Sequence, residues 1–330
     1  MSGEAAEPPR RRRRSSTAEL GQSSTVMLPA MTLRIGDHVQ AALAAGSAVV
    51  ALESTIITHG LPRPHNVEVA RQAEDQVRAA GAVPATVGVL DGQAVVGLTP
   101  AEVERLGCDD AAVKCSIRDL ATAVVRRQSG GTTVAATAYL AHQAGITVFP
   151  TGGLGGVHRG AASTFDESAD LVALSALPVV MVSAGVKSIL DTGATLERLE
   201  TLNVTVLGYQ TDAFPGFYIA DSGFPVPARA DDPAEIAATA RARDALGISS
   251  AVLVTRPVPT EHQLDPALHD RVLTEALAAA EQQGVHGHDV TPFLLDYFHT
   301  ATQGASEATN VQIYLGNVAL GAEIAKALTA

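Results

Sequence analysis

Short apolar runs rich in valine, isoleucine and leucine alternate with amphipathic stretches along nearly the whole 330-residue chain. The apolar runs predict strands at 48–57, 85–90, 93–98, 146–149, 179–182, 204–207 and 251–255. The amphipathic stretches predict helices at 66–80, 132–143, 171–176, 188–202, 233–246, 266–283, 291–300 and 310–328. Continuously apolar strands that alternate with helices are typical of parallel sheets, which are buried on both faces. The alternation therefore predicts an α/β/α sandwich with a mostly parallel central sheet, folded as a single domain.

One connection in this pattern is too short for a helix. Asp91-Gly92 separates the apolar runs 85–90 and 93–98. Both residue types tolerate the positive φ angles of a type I′ turn, so this segment predicts an antiparallel hairpin inside the otherwise parallel arrangement.

The net charge of −12 is unevenly distributed. Residues 1–30 carry five arginines and three glutamates, whereas the rest of the chain carries 18 basic and 32 acidic residues. So acidic a body is a poor surface for a nucleic-acid backbone, and no nucleic acid polymer is expected as a partner. We interpret residues 1–30 as a disordered, arginine-containing tail and residues 31–330 as the folded domain.

The length of the apolar stretches and the two cysteines indicate the cellular compartment. No apolar stretch approaches the roughly 20 residues needed to cross a bilayer, so no membrane partner is expected. Cys108 and Cys115 form neither a disulfide framework nor a metal-ligand spacing. A reducing cytoplasm is therefore the expected location.

Polar residues that interrupt this apolar pattern fall at one kind of position. Five of them lie at or just past the carboxyl end of a predicted strand: Glu53, Lys114, Thr151, Lys187 and Tyr209. Ligands of open α/β sheets bind at that edge. The five residues therefore predict an active site there.

The use of lysine singles out one of these residues. Of 23 basic residues, three are lysine: Lys114, Lys187 and Lys326. Arginine cannot form an imine, whereas a desolvated lysine can, so a retained lysine suggests amine chemistry. Lys187 follows the apolar run 178–186 and fits this role best, although codon bias would also explain a low lysine content. Lys326 lies in the last predicted helix and is expected at the surface.

Glu53 stands in the apolar run 48–57. A carboxylate in such surroundings is costly unless it is paired or protonated. Burial would raise its pKa, which suits a general acid. The alternative is an ion pair with an arginine.

Residues 151–160 contain five glycines, which could present backbone N–H groups to an anion or form a mobile linker. His158, within this loop, is a candidate structural donor or base. After the loop, Asp166, Ser168 and Asp170 stand at a predicted helix start, where they could bind a hard cation or cap the helix. The segment 130–134 offers a second candidate anion site, since glycines there open a helix.

These segments together resemble the pseudouridine-5′-phosphate glycosidase family, also called pseudouridylate synthase. The resemblance spans roughly residues 33–328. The matching stretches are 51–60, 81–86, 130–135, 151–160, 164–171, 183–191, 208–211 and 291–295.

The resemblance implies roles for individual residues. Lys187 would be the nucleophile that forms a Schiff base with ribose 5-phosphate, and Glu53 the proton donor. Substrate contacts are implied at Lys114, Val134, Ser168, Ala169 and Asp170. One divalent cation per subunit, usually Mn²⁺, would bind at Asp166, and Thr151, His158 and Asn310 would line the same pocket. The expected protein is a cytoplasmic homotrimer that acts on a small-molecule nucleotide.

The implied reaction is the reversible cleavage of the C1′–C5 bond of pseudouridine 5′-phosphate, in nucleotide catabolism. Two other functions remain open from the sequence. A class I aldolase would use the same lysine on a phosphosugar without uracil. A phosphosugar-binding regulatory module would need no amine and would tolerate arginine at position 187.

Overall fold

The computed structural model describes residue 1 and residues 33–285 and 290–330. The predicted tail beyond Met1 lies outside these ranges. The described residues from 33 onward form one compact unit. Its strands are β1 (Arg34–Ile35), β2 (Val49–Leu52), β3 (Val83–Leu90), β4 (Gln93–Val96), β5 (Val113–Cys115), β6 (Gly130–Thr132), β7 (Val148–Pro150), β8 (Val180–Ser183), β9 (Thr205–Tyr209), β10 (Ala228–Ala230) and β11 (Val252–Thr255).

The helices of the described ranges connect and flank these strands. They are α1 (Asp37–Ala44), α2 (His65–Ala79), α3 (Pro100–Gly107), α4 (Ile117–Val125), α5 (Val134–Gln143), α6 (Ala161–Thr164), α7 (Ala169–Ala176), α8 (Thr192–Thr201), α9 (Pro233–Ala245), α10 (Pro266–Gln282), α11 (Val290–Ala301) and α12 (Ala305–Thr329). A π-helical turn covers Ile56–Gly60, and a 3₁₀ turn covers Thr260–His262. No helix within the described ranges has both the length and the apolar character needed to span a membrane.

The sheet is mixed but mostly parallel, as predicted. Its main path runs β1-β4-β3-β2-β7-β8-β11-β9-β10, and β6 joins β3 to β5. Only the pairings of β3 with β4 and β6 are antiparallel among the described strands. The β3–β4 hairpin turns at Asp91 and Gly92, with φ angles of 50° and 83°, so the type I′ prediction is confirmed.

Two cores lie on the two faces of the sheet. One core includes apolar residues of α5, α7, α10 and α11, and the other includes those of α2, α3, α9 and α12. Successive residues of β8 alternate between the two, with Met181 in the first core and Val180 and Val182 in the second. This alternation is the period-two geometry of a strand that is covered on both faces, so the α/β/α sandwich is confirmed.

Several predicted boundaries are wrong near the carboxyl edge of the sheet. The strand predicted at 48–57 ends at Leu52, and a π-helical turn begins at Ile56. The helix predicted from residue 132 begins at Val134, because 130–132 pair as β6. The helix predicted from residue 188 begins at Thr192, after the Asp191 cap. In each case a local apolar or helical pattern runs on past the point where the chain leaves the sheet or enters a cap.

Candidate active site

Glu53 lies directly after β2, at the carboxyl edge of the sheet, with 9% of its surface exposed. Thr151, the residue after β7, donates its hydroxyl hydrogen to Glu53 Oε1. Among the described residues Glu53 forms no ion pair with an arginine, so that alternative is excluded within them. The neighbouring strands β2 and β7 thus deliver a buried carboxyl and its hydrogen-bond donor to one point.

The charges of three site residues reach Glu53. Burial raises the pKa of this carboxyl, the Thr151 hydrogen bond and the charges of Lys187 and Lys114 lower it, and the charge of Asp170 raises it. Burial is the largest of these effects, so the predicted upward shift is confirmed. The group can therefore remain protonated at a pH where an exposed glutamate would be ionised, as a proton donor requires.

Lys187 lies in the loop after β8 and is half-buried. Its backbone N–H donates to Leu154 O at 3.1 Å, and Leu154 forms a bridge with Val186. The glycine-rich loop therefore lies along the lysine. A Cβ atom at position 153 would stand 3.3 Å from Lys187 Cγ and 2.6 Å from the Phe217 ring, so only glycine lets the loop approach this closely.

The glycine-rich loop is part of the packed interior. Residues 151–157 are buried, so the interpretation as a mobile linker is wrong. Several of its N–H groups already donate to protein oxygens: Leu154 to Gly185 O, Gly155 to Asp170 Oδ2 and Val157 to Thr195 Oγ1. These N–H groups cannot cradle an anion as predicted, because their hydrogens are engaged.

Asp170 links two parts of the site. Its Oδ1 accepts from Ala135 N, at the start of α5, and its Oδ2 accepts from Gly155 N, at 3.0 and 2.9 Å. Ser168 caps α7 by accepting from Asp170 N at 3.2 Å, and Ala169 next to it is exposed. The capping interpretation therefore holds for Ser168, while Asp170 ties the glycine-rich loop to the α5 N-terminus.

Lys114 lies within β5, not at its end as predicted. It is an exposed residue, yet its pKa is lowered, first by desolvation of the ammonium and then by the charge of Lys187. Asp170 and Glu53 oppose this shift. Lys114, Lys187, Glu53 and Asp170 therefore form one electrostatic cluster.

Val134 is the first residue of α5, and Thr133 caps the helix by accepting from Ala136 N. Ala135 N is taken by Asp170. Within the described ranges no acceptor is found for Val134 N–H. One N–H group at the positive end of a ten-residue helix thus remains available to a ligand, beside the charge cluster.

The donor set at Asp166 decides whether a metal fits there. The Asp166 side chain is 36% exposed, and His158 Nδ1 lies 3.8 Å from its Oδ2. The described residues contain no cluster of three His, Cys, Asp or Glu side chains suited to a metal. An all-protein cage is thus excluded there. A single partly exposed carboxylate still suits a hard divalent cation that keeps most of its water.

Two other predicted residues differ in their placement. Asn310 Oδ1 would stand 3.3 Å from a Cβ at Gly152, so this side chain reaches the glycine-rich loop. Tyr209 ends β9, which β11 separates from β8. Tyr209 is therefore not part of the cluster around Glu53. Lys326 is exposed and pairs with Glu323, as expected of a surface lysine.

Sequence reasoning missed Asn317. This fully buried side chain on α12 donates from Nδ2 to Thr151 O at 2.8 Å and holds the strand end that carries the Glu53 partner. A sequence signal existed, since Asn310 and Asn317 are seven residues apart on a largely apolar helix and so share a face.

Known proteins are similar to this chain over most of its length. The model of the indigoidine synthase A like protein family matches residues 38–327. A pseudouridine-5′-phosphate glycosidase from Saccharopolyspora erythraea is 63% identical over 294 residues, which cover 89% of this chain and 97% of that protein. One from Salinispora tropica is 55% identical over 313 residues, which cover 94% and 97%.

Two solved structures share the fold. The prealnumycin C-glycosynthase AlnA, in complex with ribulose 5-phosphate, superposes with a TM-score of 0.85 at 38% identity, covering 91% of this chain and 98% of that one. An indigoidine synthase A-like protein from Thermotoga maritima superposes with a TM-score of 0.82 at 34% identity, covering 91% and 97%. Sequence and fold thus agree over most of the chain, which belongs to the pseudouridine-5′-phosphate glycosidase family of enzymes.

Proposed function

We propose that this protein cleaves the C1′–C5 bond of pseudouridine 5′-phosphate to uracil and ribose 5-phosphate, reversibly and with Lys187 as nucleophile. The observation that carries the proposal is that a half-buried lysine and a buried carboxyl whose pKa is raised follow strands β8 and β2 at one edge of the sheet, where the charge of the lysine acts on the carboxyl. The names of the relatives and the phosphosugar in a structural neighbour support the substrate class.

An amine is suited to this bond for a chemical reason. Glycosidases that use two carboxylates protonate a heteroatom leaving group as an oxocarbenium-like transition state forms. Uracil leaves through carbon, which has no lone pair to protonate. A nitrogen at C1′ can stabilise the developing positive charge as an iminium, so the cleavage becomes two feasible steps.

The proposed cleavage proceeds in three steps. Lys187 Nζ attacks C1′, the C1′–O4′ bond breaks, and Glu53 donates a proton to O4′. The amine loses a proton as the C1′–Nζ bond forms, and this proton restores the acid form of Glu53. The C1′–C5 bond then breaks, its electron pair stays on uracil C5, which takes the proton from Glu53, and C1′ and Nζ form the iminium. Water adds at C1′ and the C1′–Nζ bond breaks, which releases ribose 5-phosphate and the free amine. In total, one water is consumed for each uracil formed.

The remaining site residues would orient the substrate. With C1′ at Lys187, the 5′-phosphate lies at the far end of the opened sugar. Lys114 and the Val134 N–H offer a positive charge and a donor for it. Asp170 accepts from Ala135 N at the same helix start, and Ser168 and Ala169 directly precede Asp170 in the chain. Such fixed contacts supply orientation for the reacting carbon.

We further propose that Asp166 holds a hydrated Mn²⁺ ion, which would supply positive charge near the phosphosugar oxygens. Its partly exposed carboxylate supports this assignment. Chelation should abolish activity and added Mn²⁺ should restore it in the wild-type protein. Full activity of the metal-free enzyme would refute the assignment.

We also propose a homotrimer that works in the cytoplasm. Light scattering should give a mass near three times the 33.9 kDa of the chain, and a monomer at micromolar concentration would exclude the trimer. Both cysteines are free, which is compatible with a reducing compartment.

The proposed reaction is tested by uracil release from pseudouridine 5′-phosphate in the presence of Mn²⁺, with uridine 5′-phosphate as the control substrate. We expect release from the first substrate and none from the second. If a folded, metal-loaded protein releases uracil from neither, the proposal fails. Turnover of deoxyribose 5-phosphate in that case would indicate the aldolase instead.

A further inference from the structure

The π-helical turn Ile56–Gly60 carries polar side chains near the proposed phosphate end of the site. This turn begins three residues after Glu53 and lies against β6. A Cβ atom at Gly131 would overlap Thr58 Oγ1 and stand 2.8 Å from Ser54 O. The turn therefore packs directly against Gly131 of β6. Single π-helical turns are frequent at functional sites, because they re-aim side chains.

The register of β5 and β6 places Lys114 next to this turn. Lys114 and Gly131 are directly paired residues of the two strands. Paired residues project from the same face of a sheet, so the Lys114 side chain lies on the face that Thr58 covers. His59 follows Thr58 and is exposed. Burial lowers the pKa of His59, and the charge of Lys114 lowers it further, as expected of side chains on the same face.

Hydrogen bonds hold the His59 ring in one orientation. Thr58 Oγ1 lies 3.2 Å from Ser54 O and 2.7 Å from His59 Nδ1. The hydroxyl has one hydrogen, so both contacts are hydrogen bonds only if it donates to Ser54 O and His59 Nδ1–H donates to it. Nε2 is then left without a partner among the described residues. The ring presents a directed nitrogen rather than a freely rotating side chain.

His59 is exposed whereas Glu53 is buried, so His59 stands at the outer end of the site. The groups that shift the pKa of Glu53 are Thr151, Lys187, Asp170 and Lys114, and His59 is not one of them within the described residues. Desolvation lowers the pKa of His59, and the charge of Lys114 lowers it further. Lys114 acts on both Glu53 and His59 and so links the reacting centre to the turn. In the proposed function C1′ reacts at Lys187, so the 5′-phosphate would extend away from Glu53 toward this outer end.

We propose that His59 Nε2 binds the 5′-phosphate of the substrate together with Lys114 and the Val134 N–H, and that Thr58 is the positioning residue for the His59 ring. The inference rests on the proposed function and assigns one further residue to its phosphate end. A phosphate monoester near neutral pH exists as monoanion and dianion. The monoanion donates its hydrogen to neutral Nε2, and the dianion accepts one from the imidazolium, so both ionisation states give one N–O hydrogen bond.

The test compares His59→Ala with the wild type, both loaded with Mn²⁺, in kinetics with pseudouridine 5′-phosphate and in calorimetry with ribose 5-phosphate. A hydrogen bond to a charged group contributes about 1.5–3 kcal/mol, so KM and the ribose 5-phosphate Kd should each rise about ten- to a hundredfold. The kcat should stay within about twofold, because a phosphate contact is the same in the ground and transition states.

Two further variants separate binding from structure. Thr58→Val should raise KM by a smaller factor, because the ring remains but is no longer fixed, and Thr58→Ser should restore the wild-type value. His142→Ala, at the other end of α5, is the matched control and should change neither constant. Thermal unfolding of each variant shows whether it is folded.

An unchanged Kd and KM in folded His59→Ala would overturn the inference, and so would a fall in kcat at constant KM, which would make His59 a group that acts in the chemical step. If the wild type binds ribose 5-phosphate but releases no uracil, the proposed function fails while calorimetry still decides the role of His59. If the wild type does not bind ribose 5-phosphate, both are overturned.

Discussion

Glu53 is the residue in which burial and chemistry are most closely linked. Its carboxyl is almost completely buried and accepts a hydrogen bond from Thr151, while two lysines lie near enough to favour its ionised form. Burial exceeds these opposing effects, so the proton is held more tightly than in an exposed glutamate. A general acid needs this property at neutral pH.

The stability of Glu53→Gln should depend less on pH than that of the wild type. The folded-state pKa of Glu53 is raised above its ordinary value of 4.5. Its contribution to stability is therefore fully present below pH 4.5 and is lost as the pH rises through the folded-state pKa. Urea unfolding of both proteins between pH 4.5 and 8 should show the variant gaining relative stability as the pH rises. Parallel curves would contradict the raised pKa.

The same variant should bind substrate and cleave it slowly. General acid catalysis contributes about 10²–10⁴-fold, so kcat should fall by a factor in that range while the Kd of ribose 5-phosphate stays close to the wild-type value. Single-turnover cleavage, followed by uracil release, measures the loss. If Glu53→Gln cleaves at the wild-type rate, the acid is another residue, and Asp170 and His158 are the candidates to test next.

Lys187 can be tested by trapping its imine. Borohydride added to the wild type with ribose 5-phosphate should reduce the iminium and leave a sugar phosphate on Lys187, which peptide mass spectrometry would locate. Lys187→Arg keeps the charge but forms no imine, so it should show neither adduct nor turnover. Lys326→Arg, at an exposed residue paired with Glu323, is the control and should behave like the wild type. Wild-type turnover in Lys187→Arg would exclude the mechanism.

At the scale of elements, three pieces of backbone shape the site: the π-helical turn, β6 and the glycine-rich loop. Each depends on a glycine at a point of close approach. The missing side chain at Gly131 lets the turn pack against β6, and the missing side chain at Gly153 lets the loop pack against Lys187 and Phe217. Hydrogen bonds from the loop N–H groups to Asp170 and other protein oxygens fix the conformation of the loop.

Gly131→Ala tests the contact between the turn and β6. The added methyl group would overlap Thr58 Oγ1 and crowd Ser54 O, so the free energy of unfolding should fall by about 1–3 kcal/mol. Gly145→Ala is the matched control. No atom lies within 4 Å of its added Cβ, but its φ of 83° costs about 1–2 kcal/mol in an L-residue.

The two glycine variants should differ in ligand binding. Displacement of the turn moves Thr58 and the residues around it, so Gly131→Ala should weaken ribose 5-phosphate binding, measured by calorimetry. Gly145→Ala, in the turn after α5, should leave binding unchanged. Equal affinities in both variants would show that the position of the turn does not matter for the site.

At the scale of the whole molecule, strand order assembles the cluster. Glu53 follows β2 and Thr151 follows β7, and these strands are neighbours although 98 residues separate the two side chains. β8, which precedes Lys187, pairs with β7 on the next position of the sheet. α12 packs across this centre, and Asn317 on it donates to Thr151 O. Side chains that are remote along the chain thus converge because parallel strands end at one edge.

Much of this protein follows from the sequence alone. Continuous apolar runs between amphipathic stretches determine a parallel sheet that is covered on both faces, and Asp91-Gly92 determines a hairpin, because both signals act over a few neighbouring residues. The glutamate of the site was identified as a polar group that an apolar run does not tolerate without a reason, and the lysine by its rarity in a chain that otherwise uses arginine.

The tertiary structure decided what these residues contact. Asp170 was predicted to bind a cation or cap a helix, but it accepts from Ala135 and Gly155, which come from two other segments. The glycine-rich loop was expected to offer its N–H groups to an anion, and protein oxygens take several of them. No local sequence pattern indicates His59 as a site residue, since the segments next to its turn, with Gly131 and Lys114, come from β6 and β5. Strand order and register bring distant residues together and so determine the hydrogen-bond partners. A local sequence pattern specifies neither strand order nor register.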